Sequence, residues 1–168
     1  GLVSYSTTAT LNKTLSNNHA QTNTAINALT ASGATNIGDA INLANGELTS
    51  VRSNPAAEQI MILLTDGLAN KPNGPGYGEY AADVTYAISK ANDAAAVGIK
   101  IFTIGLGTNI NATMLQQIAT LTGGEYYFAP TGADLQAIFD QLKADACGEE
   151  PPTNGQTGNN SVIIGTGA

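Results

Sequence analysis

The chain has 168 residues, thirteen acidic against six basic side chains, and a net charge of −7. That length suits one domain with a tail and can bury a two- or three-layer core without crosslinks. The acidic balance argues against nucleic acid or an anionic membrane as partner, and tolerates cationic surfaces and divalent metals. Cys147 is the single cysteine, so no disulfide closes within the chain and no Cys-based zinc site is available. It reads either as a free thiol near a helix end or as half of a disulfide with a partner elsewhere. Nothing approaches eighteen consecutive apolar residues, so no transmembrane segment is expected. Tryptophan is absent, charge is sparse, and Thr, Asn, Ala and Gly abound. This composition reads as an exported protein, extracellular or on the cell surface, with the periplasm as an alternative.

In chain order, Leu2, Val3 and Tyr5, then Ala9, Leu11, Lys13 and Leu15 on alternate positions, predict two strands joined by a Ser/Thr turn. A helix is expected over 18–31, capped by Asn17 or Asn18, with Ala25, Ile26 and Leu29 at helical spacing and Gly33 ending it. Ile37, Ala40, Ile41, Ala44, Leu48 and Val51 form one helical stripe, halted by Pro55. "IMILLTDG" then presents five consecutive apolar residues, Ile60 to Leu64, bounded by turn formers. Such a run marks a strand buried on both faces, as parallel sheets require. Residues 67–78 are turn formers almost throughout and predict a long loop. A helix from about Tyr80 to Val97 is expected to turn Ala81, Val84, Ile88, Ala91 and Ala95 inward. Ile99 to Leu106 is a second apolar strand. Asn111 caps a helix bearing Leu115, Ile118 and Leu121, and "EYYFA" is a short strand. Thr131 with Asp134 has the spacing of a capping box before a helix with Leu135, Ile138, Phe139 and Leu142. Residues 148–160, "GEEPPTNGQTGNN", have linker composition. The alternation from residue 33 onward predicts an α/β fold with right-handed crossovers: a doubly wound, mostly parallel sheet with an antiparallel strand at one edge. The domain is placed at 1–146, and 147–168 is read as a Pro/Gly/Asn-rich linker and the start of a following region.

Open parallel sheets bind ligands at the carboxyl ends of their strands. Asp66 lies at such an end, and Thr35 lies in the loop Gly33-Ala34-Thr35-Asn36-Ile37-Gly38 expected at the same rim. A hydroxyl and a carboxylate are hard oxygen ligands suited to magnesium, calcium or manganese. On residues alone, Asp66 serves equally well as a turn residue, and Thr35 taken by itself is better explained as the cap of the following helix.

Five stretches, "GLVSYSTTATLN", "GATNIGDAI", "IMILLTDG", "GIKIFTIGLG" and "LTGGEYYFA", together resemble a von Willebrand factor type A domain over roughly residues 1–146. The resemblance implies a Rossmann-like fold and a divalent cation, Mg2+ or else Ca2+ or Mn2+, at a metal-ion-dependent adhesion site. Three loops build that site: an Asp-x-Ser-x-Ser loop after the first strand, a loop supplying a threonine that matches Thr35, and a loop supplying an aspartate that matches Asp66. A carboxylate of a protein ligand completes the metal shell. No Asp-x-Ser-x-Ser occurs in this chain. The resemblance therefore leads to the expectation that the family's first strand and helix precede Gly1 in a longer product, and that without that loop the cation is held weakly or not at all. "SVIIGTGA" is a second candidate for the vacant central slot, one that brings no aspartate.

The expected function is a non-catalytic binding and adhesion module, with Thr35 and Asp66 as metal ligands and Gly33, Asn36, Gly67, Lys71 and Tyr77 along the ligand-facing rim. Its partners would be a protein ligand or other subunits of a surface assembly. The alternative is a structural module of a bacterial surface or pilus-assembly protein with a vestigial metal site. A hydrolase on a doubly wound sheet is the remote alternative. No nucleophile elbow or phosphate-loop motif supports it, and His19, the one histidine, lies by a helix start away from the rim.

Overall fold

A computed structural model describes residues 1–147 and 160–166. Along the described residues the elements are β1 (Leu2–Tyr5), β2 (Ala9–Lys13), α1 (His19–Asn27), α2 (Ile37–Leu48), β3 (Gln59–Thr65), α3 (Ala81–Ala96), β4 (Lys100–Leu106), α4 (Ala112–Thr122), β5 (Tyr126–Ala129), α5 (Leu135–Cys147) and β6 (Asn160–Thr166). The strands build one sheet in the order β2-β1-β6-β3-β4-β5. Among the described strands only the β1–β2 pair is antiparallel; β1–β6, β6–β3, β3–β4 and β4–β5 are all parallel. This is the doubly wound, mostly parallel sheet with an antiparallel edge that the alternation of elements implies.

Strand periodicity divides the core between the two faces. Met61 and Leu63 of β3 join Val162 and Ile164 of β6, Ile101 of β4 and the stripes of α2, α3 and α4. Ile60 of β3 joins Phe102 and Ile104 of β4, Tyr127 of β5 and Leu142 of α5 on the other face, with Ile62 and Leu64 packed against them. Alternate residues of β3 therefore belong to different cores, which is why its apolar run has no polar alternation.

The capping chemistry sets the helix starts. Asn18 and Asn111 accept backbone N–H groups of Gln21 and Met114. Thr131 and Asp134 form the reciprocal capping box, here opening a 3-10 turn that runs into α5. Two helix ends differ from the sequence expectation. Helix α1 stops at Asn27 and buries no residue. Helix α2 stops at Leu48, so Val51 leaves the stripe and is 99% exposed. Helix α3 turns Asp83, Ala87, Ala91 and Ala94 fully inward, with Val84 and Ile88 half-buried beside them; Ala81 is exposed.

The largest departure concerns the C-terminal residues. Asn160–Thr166, which from sequence reads as the start of a following region, forms a central strand between β1 and β3. Val162 and Ile164 are fully buried. An apolar strand is stabilised in a parallel sheet wherever helices cover the faces, and sequence alone does not say which slot it takes. Of the stretch read as linker, residues 148–159 lie outside the described residues, and Asn160 opens β6.

Candidate functional site

Strands β1, β6, β3, β4 and β5 run in the same direction, so their carboxyl ends share one rim. Two loops meet there. The first runs from Gly33 to Asn36 into α2, and the second leaves β3 through Asp66 and continues to α3.

The first loop is built around Asn36, which is the N-cap of α2. Its Oδ1 accepts the Asp39 N–H at 3.1 Å. Its Nδ2 donates to Asp39 Oδ2 at 2.7 Å and to the Thr7 carbonyl at 3.3 Å, and its own N–H donates to the Ser6 carbonyl at 2.9 Å. Asn36 is 1% exposed. It is thus committed inside the loop rather than facing a ligand, which corrects the rim role that its position in the sequence suggests. It also corrects the simplest reading of Thr35: with Asn36 as cap, the Thr35 hydroxyl is not needed by the helix. Gly38 closes this motif on its far side. A Cβ built there would stand 2.2 Å from Cδ1 of Tyr86, so only glycine lets α2 pack against that ring. The Tyr86 hydroxyl donates to Asp39 Oδ1 at 2.8 Å; burial, and then the Asp39 carboxylate, push its pKa up to about 12.

Asn70 clamps the two loops together. The Thr35 N–H donates to Asn70 Oδ1 at 2.8 Å and the Asn70 N–H donates to the Thr35 carbonyl at 3.1 Å. This two-way bridge brings the Thr35 hydroxyl against the residue after Asp66: a Cβ built on Gly67 would lie 2.7 Å from Thr35 Oγ1. Gly67 is therefore the close-approach residue of the site, and any side chain there would displace the hydroxyl. Thr35 thus meets the residue that follows Asp66 in the chain. Thr65 holds the turn, its Oγ1 donating to the Gly67 carbonyl at 3.2 Å and accepting the Gly67 N–H at 3.3 Å. Beneath the turn, the Tyr5 hydroxyl donates to the Leu64 carbonyl at 2.8 Å. Burial raises the Tyr5 pKa far above its ordinary value, and the Asp66 charge adds to the rise while a hydrogen bond with Thr65 opposes it. Tyr5 thus stays neutral beside the aspartate.

The rest of the 67–78 loop is pinned from α3. Asp83, completely buried, accepts the Asn73 N–H, the Asn73 Nδ2 and the Gly74 N–H, all at 2.8 Å. The Tyr80 N–H donates to the Ala69 carbonyl at 2.9 Å. Lys71 lays its stem by Gly76, with Ala34 alongside, and Tyr77 is 77% exposed on the outer side of the loop. Gly33 is exposed at the foot of the first loop, next to Ser6 and Thr7. His19 is exposed on α1, which lies against the β1–β2 hairpin.

Sequence reasoning misses Asn70, Tyr5 and Asp83. Asn70 and Tyr5 act across 35 and 59 positions, and no local pattern points to either. For Asp83, a carboxylate in the first turn of a helix after a glycine-rich loop is the available signal.

A hard cation fits the chemistry of Thr35 and Asp66, which offer oxygens only, but not their number. They supply two or three donors, where magnesium takes about six and calcium about six to eight. Among the described residues no group of three or more His, Cys, Asp or Glu side chains is placed to hold a metal ion.

Residues 1–141 match the family model of the von Willebrand factor type A domain, and the chain belongs to that family. No curated protein matches it. Among solved structures, it is similar to the vWF domain of the type V pili tip protein Mfa5 from Porphyromonas gingivalis, with 16% identity, 91% of this chain and 81% of that one covered, and a TM-score of 0.68. It is similar to the conserved hypothetical protein BatB from Bacteroides thetaiotaomicron at 20% identity, 86% and 77% coverage, and a TM-score of 0.65. Proximal thread matrix protein 1 of the mussel byssus, in a structure with a zinc-occupied MIDAS motif, matches at 24% identity and a TM-score of 0.65 over 86% of this chain. The chain spans about a third of that protein, 34%. These likenesses establish the fold. Among the described residues no helix is long and apolar enough to cross a membrane.

Proposed function

We propose that this chain is a non-catalytic binding module that presents a divalent cation, Mg2+ or else Ca2+ or Mn2+, at the carboxyl rim of its sheet, and through that cation takes an acidic group of a protein ligand. The observation that supports this reading is the approach of the Thr35 hydroxyl to Gly67, the residue after Asp66: it lies 2.7 Å from where a Gly67 Cβ would stand. Thr35 and Asp66 would hold the cation, and water and the ligand's carboxylate would fill the remaining places. The cation supplies the positive charge that makes an acidic rim attractive to an acidic partner. With two protein side chains the affinity is low. Lys71 and Tyr77 flank the rim on the 67–78 loop and are the contacts that would distinguish one ligand from another. The pilus-tip and byssal-thread neighbours support an assembly on the cell surface or outside the cell as the setting.

The shortage of carboxylates favours a second reading, a structural module of a surface assembly whose metal site is vestigial. Thermal melts separate the two. A cation that binds only the folded chain raises its midpoint. The first reading expects a rise at tens of millimolar magnesium that Thr35→Ala and Asp66→Asn each abolish. A midpoint that ignores magnesium, or rises equally in both variants, leaves the structural reading standing.

A further inference from the structure

The end of the sheet opposite the rim carries an apolar surface that the fold leaves open. Helix α2 stops at Leu48, and the chain reaches β3 through residues 49–58. That connection and the end of α3 border a shallow groove of about 600 Å³, whose apolar lining is Leu48, Val51, Pro55, Ala57 and Val97. Val51 and Val97 are exposed. A lone apolar residue on a surface is ordinary, but two valines, a proline and an alanine around one groove form a patch, and patches mark contact sites. The groove also has a polar edge. Ser50 lines it; its Oγ accepts the Arg52 N–H at 3.2 Å and has its own proton to donate. Arg52 lies in the same connection. Its side chain is 45% exposed while that of its counterion Glu47 is 1% exposed, so the surface beside the groove presents the cation. The rim end presents the complement. Tyr77 is exposed on the 67–78 loop between Gly76 and Gly78, two residues before the exposed carboxylate of Glu79. An exposed tyrosine is a strong anchor, because it brings a large rigid ring at low entropic cost and a hydroxyl that can bond at the edge of an apolar site.

We infer that the groove between Val51 and Val97 receives the 67–78 loop of a second copy of this chain, with the Tyr77 ring between the valines and Glu79 beside Arg52. The two surfaces lie at opposite ends of the sheet, because 49–58 precedes β3 and 67–78 follows it. A contact between opposite ends is heterologous. Each copy in it keeps one unused surface, a tyrosine at one end or a groove at the other, so further copies add head to tail along the strand direction. One tyrosine and one partly exposed charge pair make a small interface, and the contact is accordingly weak. It gains strength where many copies are held in a row. The contact names a partner for the rim loop but uses neither Thr35 nor a cation, so it stands or falls independently of the metal reading.

The test is analytical ultracentrifugation of the full chain with reductant and a chelator present throughout, so that neither Cys147 nor a metal ion contributes. Val51→Asp spoils the groove and Tyr77→Ser removes the anchor; both positions are exposed, so both variants keep the fold. From low micromolar to near-millimolar concentration, the weight-average mass of the wild type is expected to rise above the 17.1 kDa of one chain, and that of each variant to stay there. The two variants mixed in equal amounts at near-millimolar concentration have one intact groove and one intact tyrosine between them. They are expected to form a species of twice the chain mass and nothing larger. A wild type that stays monomeric over the whole range overturns the inference. So does a wild-type assembly that either substitution leaves unchanged, and so does a mixture of the two variants that remains monomeric.

Discussion

Strands β3 and β6 lie side by side, run in the same direction, and bury apolar side chains in the same core. Yet one carries the candidate site and the other does not. Strand β3 ends in Thr65-Asp66-Gly67, where a threonine and a buried tyrosine brace the turn and Asn70 ties it to the Thr35 loop. Strand β6 ends in Gly165-Thr166, with no carboxylate. Apolar residues thus decide a strand's place in the sheet, and the loop at its carboxyl end decides its chemistry. A slot in the middle of a parallel sheet accepts any suitable strand; a functional rim requires particular loops.

If β3 and β6 share one core, removing a buried side chain from either should have the largest effect. Leu63→Ala and Ile164→Ala each empty a fully buried position and should each cost about 2–5 kcal/mol of unfolding free energy in denaturant titrations. A cost near zero for Ile164→Ala beside a full cost for Leu63→Ala would show that β6 does not share the core with β3.

A somewhat smaller effect is expected from the support of the site loop, the feature that sets β3 apart. Asp83→Ala strands two backbone N–H groups and an amide, and should cost about 3 kcal/mol. It should also raise the magnesium needed for any shift of the melting midpoint, because the loop that carries Asp66 loses its anchor. Equal magnesium response in variant and wild type would separate the loop's fold from the rim's chemistry.

The smallest effect lies at the other end of α2, away from the rim, where a buried acid is purely structural. Glu47 is 2% exposed; its carboxylate accepts the Leu15 N–H and hydrogen bonds from Nε and Nη2 of Arg52. The Arg52 hydrogen bonds, opposed by burial and aided by the Leu15 N–H, hold its pKa below the ordinary 4.5. A depressed folded-state value means stability that is present above the unfolded value and is lost as pH falls through the folded one. Glu47→Gln cannot titrate, so its stability–pH profile below 4.5 should be flatter than that of the wild type, read by denaturant midpoints at successive pH values. Identical slopes would assign the acid loss of stability to other carboxylates.

Most of the fold is legible in the sequence because its elements carry strong periodic signals. Ile37 to Leu48 shows a 3.6 period, Ile60 to Leu64 shows none, and Asn111 and Thr131 are caps in typical positions. The errors have physical causes. Val51 continues the helical period after the helix has ended, since spacing alone carries no stop signal. Thr35 and Asn36 are both good capping residues, and only coordinates show that Asn36 Oδ1 takes the Asp39 N–H. The place of Asn160–Thr166 is a tertiary fact: the run Val162-Ile163-Ile164 reports that a strand will form and not which neighbours it will have. At the candidate site, the choice of Thr35 and Asp66 rests on their place at loop and strand ends and on the family resemblance. The Asn70 bridge that joins their loops depends on a contact no sequence spacing encodes.

Whether Thr35 and Asp66 share one ion is tested most directly by paramagnetic broadening with Mn2+ in amide NMR spectra, because this detects weak binding and locates it. A shared ion predicts that the amides of residues 34–36 and 66–69 broaden first, that magnesium reverses the broadening, and that Asp66→Asn removes it. Broadening led instead by surface carboxylates such as Asp93 and Asp140, with residues 34–36 and 66–69 unaffected, would contradict it.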